Sequence, residues 1–395
     1  MAIADPAAAV DLGRDDLGGD DLHELLRSSR AVGPVTRCNL LGVGGYLLTR
    51  FDDVRSFLSD LERFPAGSTY EMQVAPTVGR TFISMDGERH DVYRMLTMPA
   101  FRSRPSTSFV EERLVPLAHE VIDGFVARGE ADLVAEFTGV LPFWAISRKV
   151  GLPVGTEERQ RRWALALLSH PVDPRAAARA SREVTLFLQP IIKERRREPL
   201  DDVLSHLLQA EHDGHQMTDE EVISHVRLLY AVGATTTSDA MSNLFWTLLT
   251  QPGLYDRARA DPDSRPWIVH ELLRWEPPVA VLPRLAPMGG RVAGVELPAG
   301  ALVLAGIAGA NRDPDVFTDA DRFDPDRSDR ELVTFGAGSK FCPGSHLARR
   351  QLEAALDVVC ERLPNLKLLE GAEPTGGILR SAKQLRVAWD VGAPT

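Results

Sequence analysis

Residues 334–350, TFGAGSKFCPGSHLARR, set one cysteine, Cys342, between a glycine-rich approach and the cationic start of a helical pattern. Gly336, Gly338 and Gly344 free the backbone for a tight bend and for close approach of something flat or bulky. Beyond them Leu347, Ala348, Leu352, Ala355 and Val359 recur at helical spacing, which predicts a helix over about 344–363. The N-terminus of that helix aims unsatisfied N–H groups and partial positive charge back at Cys342, and Lys340 adds a full charge. Both favour a thiolate. The other two cysteines, Cys38 and Cys360, form no CxxC pair with it, so neither a redox couple nor a zinc knuckle is indicated. A lone thiolate suits axial ligation of one metal. The alternative is a small buried cysteine on a glycine-rich loop.

Outside this stretch the sequence is that of an ordinary globular chain. Its 395 residues are 44% hydrophobic and 26% charged, with a formal net charge of −11. That sign argues against a general nucleic-acid binder. The opening MAIADPAAAVDLGRDD lacks the positive start of a signal peptide, and no run of 18 apolar residues predicts a membrane span. Sparing cysteine use fits a reducing compartment, so a cytoplasmic location is expected.

Helical spacing dominates from about 109 to 250. Thr218 and Glu221 make a capping box, and the pattern after them runs to Gln251-Pro252-Gly253. About 33 residues would span roughly 50 Å, enough to cross a domain through its core. The middle of this helix, AVGATTTS (231–238), holds poor helix formers and predicts a local weakness. A strand and helix are expected over 44–60, a helix over 266–276, strands over 291–307, and irregular chain over 311–330. The fold is expected to be mainly α with a minor β component, in one domain spanning 1–395 whose first 20 residues are flexible.

Phe335-Gly336-Ala337-Gly338-Ser339-Lys340-Phe341-Cys342-Pro343-Gly344 resembles the haem-binding signature of cytochrome P450 enzymes, FGxGxHxCxG, with Lys340 where histidine or arginine is usual. Further matches follow the order that family requires. Glu271 and Arg274 form ExxR, with Arg322 as the third member of the Glu-Arg-Arg network that braces the cysteine loop. His90 and Arg94 match the HxxxR pair that binds a haem propionate, and Arg284 matches the propionate-binding arginine downstream of ExxR. Val232-Gly233-Ala234-Thr235-Thr236 matches the A/G-G-x-D/E-T motif, with Thr236 as the oxygen-facing threonine and Thr235 in place of the acid. Thr236 could at the same time bond back to a carbonyl one turn earlier.

The resemblance implies haem b between the long helix and the cysteine-loop helix, held by His90, Arg94, Arg284, Phe335, Lys340 and Gly344, with Cys342 as the iron ligand. It implies a monooxygenase in which the axial thiolate favours O–O cleavage. Electrons from NAD(P)H would arrive through a separate ferredoxin and ferredoxin reductase, because no flavin or iron–sulfur module is present. The ferredoxin would dock on a basic patch of Lys340, His346, Arg349, Arg350, Arg102 and Arg104. Water threaded along Thr235, Thr236 and Thr237 could carry protons in place of the lost acid. A hydrophobic small-molecule substrate is expected against the loop 66–82, the helices of 160–190, and Val279 to Leu282, with Tyr70 and Met72 at the entrance; the protein is expected to be a monomer. The other readings are a haem-thiolate peroxygenase needing no reductase and a non-catalytic haem protein.

Overall fold

The computed structural model describes residues 9–391, and helices dominate it as the apolar spacing predicts. The helices that position the site are α1 (Asp21–Val32), α2 (Phe51–Ser59), α3 (Gly87–Thr97), α4 (Leu141–Val150), α5 (Pro174–Arg195), α6 (Asp219–Thr250), α7 (Arg265–Trp275) and α8 (Ser345–Arg362). Helix α6 starts where its capping box places it. The Thr218 side chain accepts from the Glu221 N–H, and the Glu221 carboxylate accepts from the Thr218 N–H. It ends at Gln251, before Pro252 and Gly253, neither of which favours continuing a helix.

Most of α6 is buried on all sides, so it runs through the largest apolar cluster and packs along α4. The weakness expected at 231–238 does not break the helix. The hydroxyls of Thr235, Thr236 and Thr237 donate to the carbonyls of Ala231, Val232 and Gly233, at 3.0, 2.8 and 2.8 Å. Each hydroxyl thereby finds a partner within the helix, and surrounding packing outweighs the low propensity.

The β component comprises β1 (Thr36–Leu40), β2 (Val43–Leu48), β3 (Glu130–Asp132), β4 (Leu282–Ala286), β5 (Ala301–Ala305), β6 (Lys367–Gly371) and β7 (Leu385–Ala388), with two short ribbons besides. One sheet runs β1-β2-β5-β4, where only the β2–β5 pair is parallel. A second runs β6-β7-β3. The expected strands at 291–307 are present, but β4 lies before them and was not expected, since Pro283 sits inside it.

The expected flexibility of residues 1–20 splits in two. Residues 1–8 lie outside the described residues. Residues 9–20 are held: Leu12 is buried and its N–H donates to Asn39 O at 2.9 Å, while the carbonyls of Leu17 and Gly19 accept from the buried Arg380. Leu12 and Leu17 bury apolar surface that an unstructured opening would leave in water.

Candidate functional site

Cys342 sits at the end of a closed loop. Its N–H donates to Phe335 O at 2.8 Å, and Gly336 and Gly338 make the turn with φ of 78° and 68°. Gly338 is required twice over, because a Cβ there would lie 3.0 Å from the Ser59 Cα. The Gly344 and Ser345 N–H groups at the start of α8 point at the sulfur. Burial nevertheless dominates and pushes the Cys342 thiol up, with those N–H groups and Arg94 opposing it. The expected charge from Lys340 does not act on the sulfur. A bound metal cation would reverse this balance, since a coordinating thiol is deprotonated outright.

The Lys340 ammonium is held by backbone carbonyls: its Nζ donates to those of Phe82, Ile83 and Met85 and lies 3.3 Å from Asp86 Oδ1. Arg284, from β4, is buried; its Nη1 donates to Leu58 O at 2.9 Å while its Nε has no partner. His90 is also buried, with Nδ1 2.9 Å from Asp91 Oδ1 and Nε2 unpartnered. Burial, then Lys340, lower the His90 pKa, against the Asp91 hydrogen bond. Arg94 Nη2 donates to Phe341 O at 2.7 Å.

Arg94, Arg284 and Lys340 line a cavity of about 310 Å³ that also contains Cys342, Phe335 and Gly344. Of these cations Lys340 is paired with Asp86, which also accepts from the Gly67 N–H. The unpartnered Arg284 Nε and the positive charge along this wall fit a ligand carrying carboxylates. A haem with its propionates is such a ligand, and the residues present suit it.

From α6, Thr236 and Thr237 line the cavity with Gly233 and Ala240, but Thr235 does not. One residue on a helix turns the side chain by about 100°, which carries Thr235 off the lining face. Tyr70, Phe82, Val279 and Leu282 line the cavity as the substrate expectation has it. The helices of 160–190 do not, whereas Ile146 of α4 does. Met72 is exposed and lies with His170 and Pro171 in a separate, larger cleft of about 590 Å³.

Two further expectations are corrected. Arg322 is not the third member of the Glu-Arg-Arg network: its side chain is exposed and only its carbonyl takes part, accepting from Arg274 and Arg327 at 3.0 Å. Arg327 is buried, with Nε 3.5 Å from Glu271 Oε1. Glu271 meanwhile receives both Nε and Nη2 of Arg274, at 2.8 and 2.7 Å. Of the docking patch, Arg102 and Arg104 are exposed as expected. Lys340 is tucked inside, Arg349 stacks 5.0 Å from the Phe335 ring centroid, His346 meets Thr107, and Arg350 is paired with Glu353. Sequence reasoning also passed over Asp239, three residues beyond Thr236, although helical spacing placed it beside that motif.

Comparisons with known proteins agree with this geometry. The family model described as Cytochrome P450 matches residues 166–264 and 266–364. Mycinamicin IV hydroxylase/epoxidase of Micromonospora griseorubida is 33% identical over 389 residues, covering 94% of this chain and 97% of that protein. Nocardicin C N-oxygenase of Nocardia uniformis subsp. tsuyamanensis is 34% identical, with 93% and 96% covered. The ligand-free structure of cytochrome P450 TbtJ1 superposes with a TM-score of 0.86 at 30% identity, over 96% of this chain and all of that one.

Proposed function

Because the chain belongs to the cytochrome P450 family, we propose that this monooxygenase takes electrons from a separate ferredoxin and its NAD(P)H-dependent reductase. It uses them to place one oxygen atom of O₂ into a hydrophobic small molecule of secondary metabolism. The observation that carries the reading is that Cys342 and Thr236 line one cavity whose wall also supplies Arg94, Arg284 and Lys340. The family's haem, when bound, would supply the oxygen-activating chemistry, with the Cys342 sulfur as the thiolate that would hold its iron. His90, Arg94 and Arg284 would hold the propionates by charge-assisted hydrogen bonds, with the Lys340 charge, its donors taken by backbone carbonyls, close by, and the Gly344 and Ser345 N–H groups would share the negative charge of the sulfur.

Phe82, Val279, Leu282 and Ile146 exclude water from the substrate side and select an apolar ligand. The Thr236 hydroxyl delivers protons into the cavity. The relatives named for acting on mycinamicin IV and nocardicin C support a secondary-metabolite substrate. The whole chain serves as one haem domain, monomeric and cytoplasmic, with ferredoxin approaching beside the exposed Arg102 and Arg104.

Position 235 carries no carboxyl, which favours a second reading, a peroxygenase needing no electron donor. Turnover of a macrolide or peptide panel with ferredoxin, reductase and NAD(P)H under ¹⁸O₂, against hydrogen peroxide alone, separates the two. Label in the product from O₂ supports the first reading. Product only with peroxide overturns it.

A further inference from the structure

Thr235 leaves the site without the acid that its motif implies, yet an acid stands one turn further along the same helix. Asp239 follows Thr235 by four residues and Thr236 by three, so its Cβ neighbours both. Helical side chains lean toward the helix N-terminus, which tips the Asp239 carboxyl back over the turn that carries the two hydroxyls. Those hydroxyls donate to Ala231 O and Val232 O, leaving their lone pairs free to accept.

On its other side the carboxyl is hydrogen-bonded to Ser381, which is 3% exposed. Ser381 Oγ in turn accepts from the Lys383 ammonium at 2.7 Å, and Lys383 is exposed to solvent. The loop holding Ser381 is fixed from α6 as well. Asn243 Nδ2 donates to Arg380 O at 3.0 Å, and its Oδ1 accepts from the Ala382 N–H at 3.0 Å.

We propose that Asp239 replaces the carboxyl missing at position 235, as a positioning residue that loads Thr236 with protons drawn from solvent through Ser381 and Lys383. The proposal rests on the monooxygenase reading above. In the step, the Asp239 O–H bond breaks as its proton passes to Thr236 Oγ, directly or through one water, while the Thr236 hydroxyl turns from Val232 O and passes its own proton to a water in the cavity. The carboxylate regains a proton from the Ser381 hydroxyl, which takes one from the Lys383 ammonium, and solvent restores Lys383. One proton moves inward and no electron moves. Burial raises the Asp239 pKa, against the Ser381 hydrogen bond and Lys383, which favours a carboxyl that can hold its proton. Lys383 is the one charged group bearing on it among the described residues.

Asp239→Asn in the holoenzyme keeps an acceptor for Ser381 but has no acidic proton. Titrated downward in pH, the wild type should show a buried carboxylic-acid C=O infrared band that shifts in D₂O and is absent from D239N. Donor-driven product formation should fall on the order of 10²-fold, with electrons diverted to hydrogen peroxide and substrate-binding spectra unchanged. Lys383→Met should retain the band but increase the solvent deuterium isotope effect on turnover, which covers the case of D239N failing to fold. A band that survives in D239N, or an unchanged peroxide share in either variant, overturns the relay alone. A wild type that makes no product with electron donors overturns the monooxygenase reading and the relay together.

Discussion

Lys149 is a charge that the fold buries without a carboxylate against it, and replacing it should stabilise the protein in a pH-dependent way. It lies in α4 at 8% exposure, with its ammonium 4.7 Å from the Phe109 ring centroid and 5.8 Å from that of Phe101, a residue lining the cavity. Burial lowers its pKa from 10.5 to about 8, with only Asp201 pulling the other way. A gap of about 2.5 pH units at 1.36 kcal/mol each corresponds to roughly 3 kcal/mol against folding while the lysine is charged. The two rings return about 0.5–2 kcal/mol of cation–π attraction. Between pH 8 and 10.5 the unfolded chain holds this proton and the folded one does not, so stability rises with pH through that window. The penalty is fully present below pH 8. Lys149→Met, which keeps the volume and suits aromatic neighbours, should therefore be more stable by about 1–3 kcal/mol at pH 7. Its advantage should shrink toward zero by about pH 10, where unfolded lysine also begins to lose its proton. Urea unfolding of both proteins at pH 7, 8, 9 and 10 measures this. Cys360, whose burial pushes its thiol up to about 11, titrates alike in both proteins and drops out of the difference. A difference that stays constant over the range, or a destabilised variant at pH 7, refutes the reasoning.

The cysteine-loop brace is separable by mutation. Glu271→Gln leaves Arg274 and Arg327 buried without their counter-charge and should cost on the order of 3–5 kcal/mol in denaturant unfolding. Arg322→Ala, which removes an exposed side chain and keeps the working carbonyl, should stay within about 0.5 kcal/mol. Arg284→Leu removes a buried donor whose Nε awaits a partner. Loss of one charged hydrogen bond, about 1.5–3 kcal/mol, should speed haem transfer to apomyoglobin by roughly 10- to 100-fold. Arg102→Glu with Arg104→Glu should slow ferredoxin-dependent reduction at low salt, and the defect should fade as ionic strength rises. An unchanged stopped-flow rate at low salt would reject that face.

Local chemistry was the legible part of this chain. The Thr218–Glu221 cap fixed the start of α6 within one residue, and the apolar spacing after Gly344 gave α8, because both signals act over one or two turns. Motif order brought Cys342, Arg94, Arg284 and Lys340 to one cavity. What the sequence could not resolve was settled by contacts distant along the chain. Arg322 and Arg327 share one short stretch, and only packing against Glu271 chooses between them. Lys340 carries the charge its position implies, but the carbonyls of Phe82, Ile83 and Met85 decide where that charge points. The helices of 160–190 are amphipathic, and nothing local says that they lie outside the cavity while Ile146 lines it.

The account depends on the Cys342 sulfur binding iron as a thiolate. The absorption spectrum of the reduced, carbon monoxide-bound protein tests this most directly, with Cys342→Ser beside it. The wild type should show the strongly red-shifted Soret band of a thiolate-ligated haem, and the serine variant should lose it. A wild type without the shift, or a serine variant that retains it, contradicts the account.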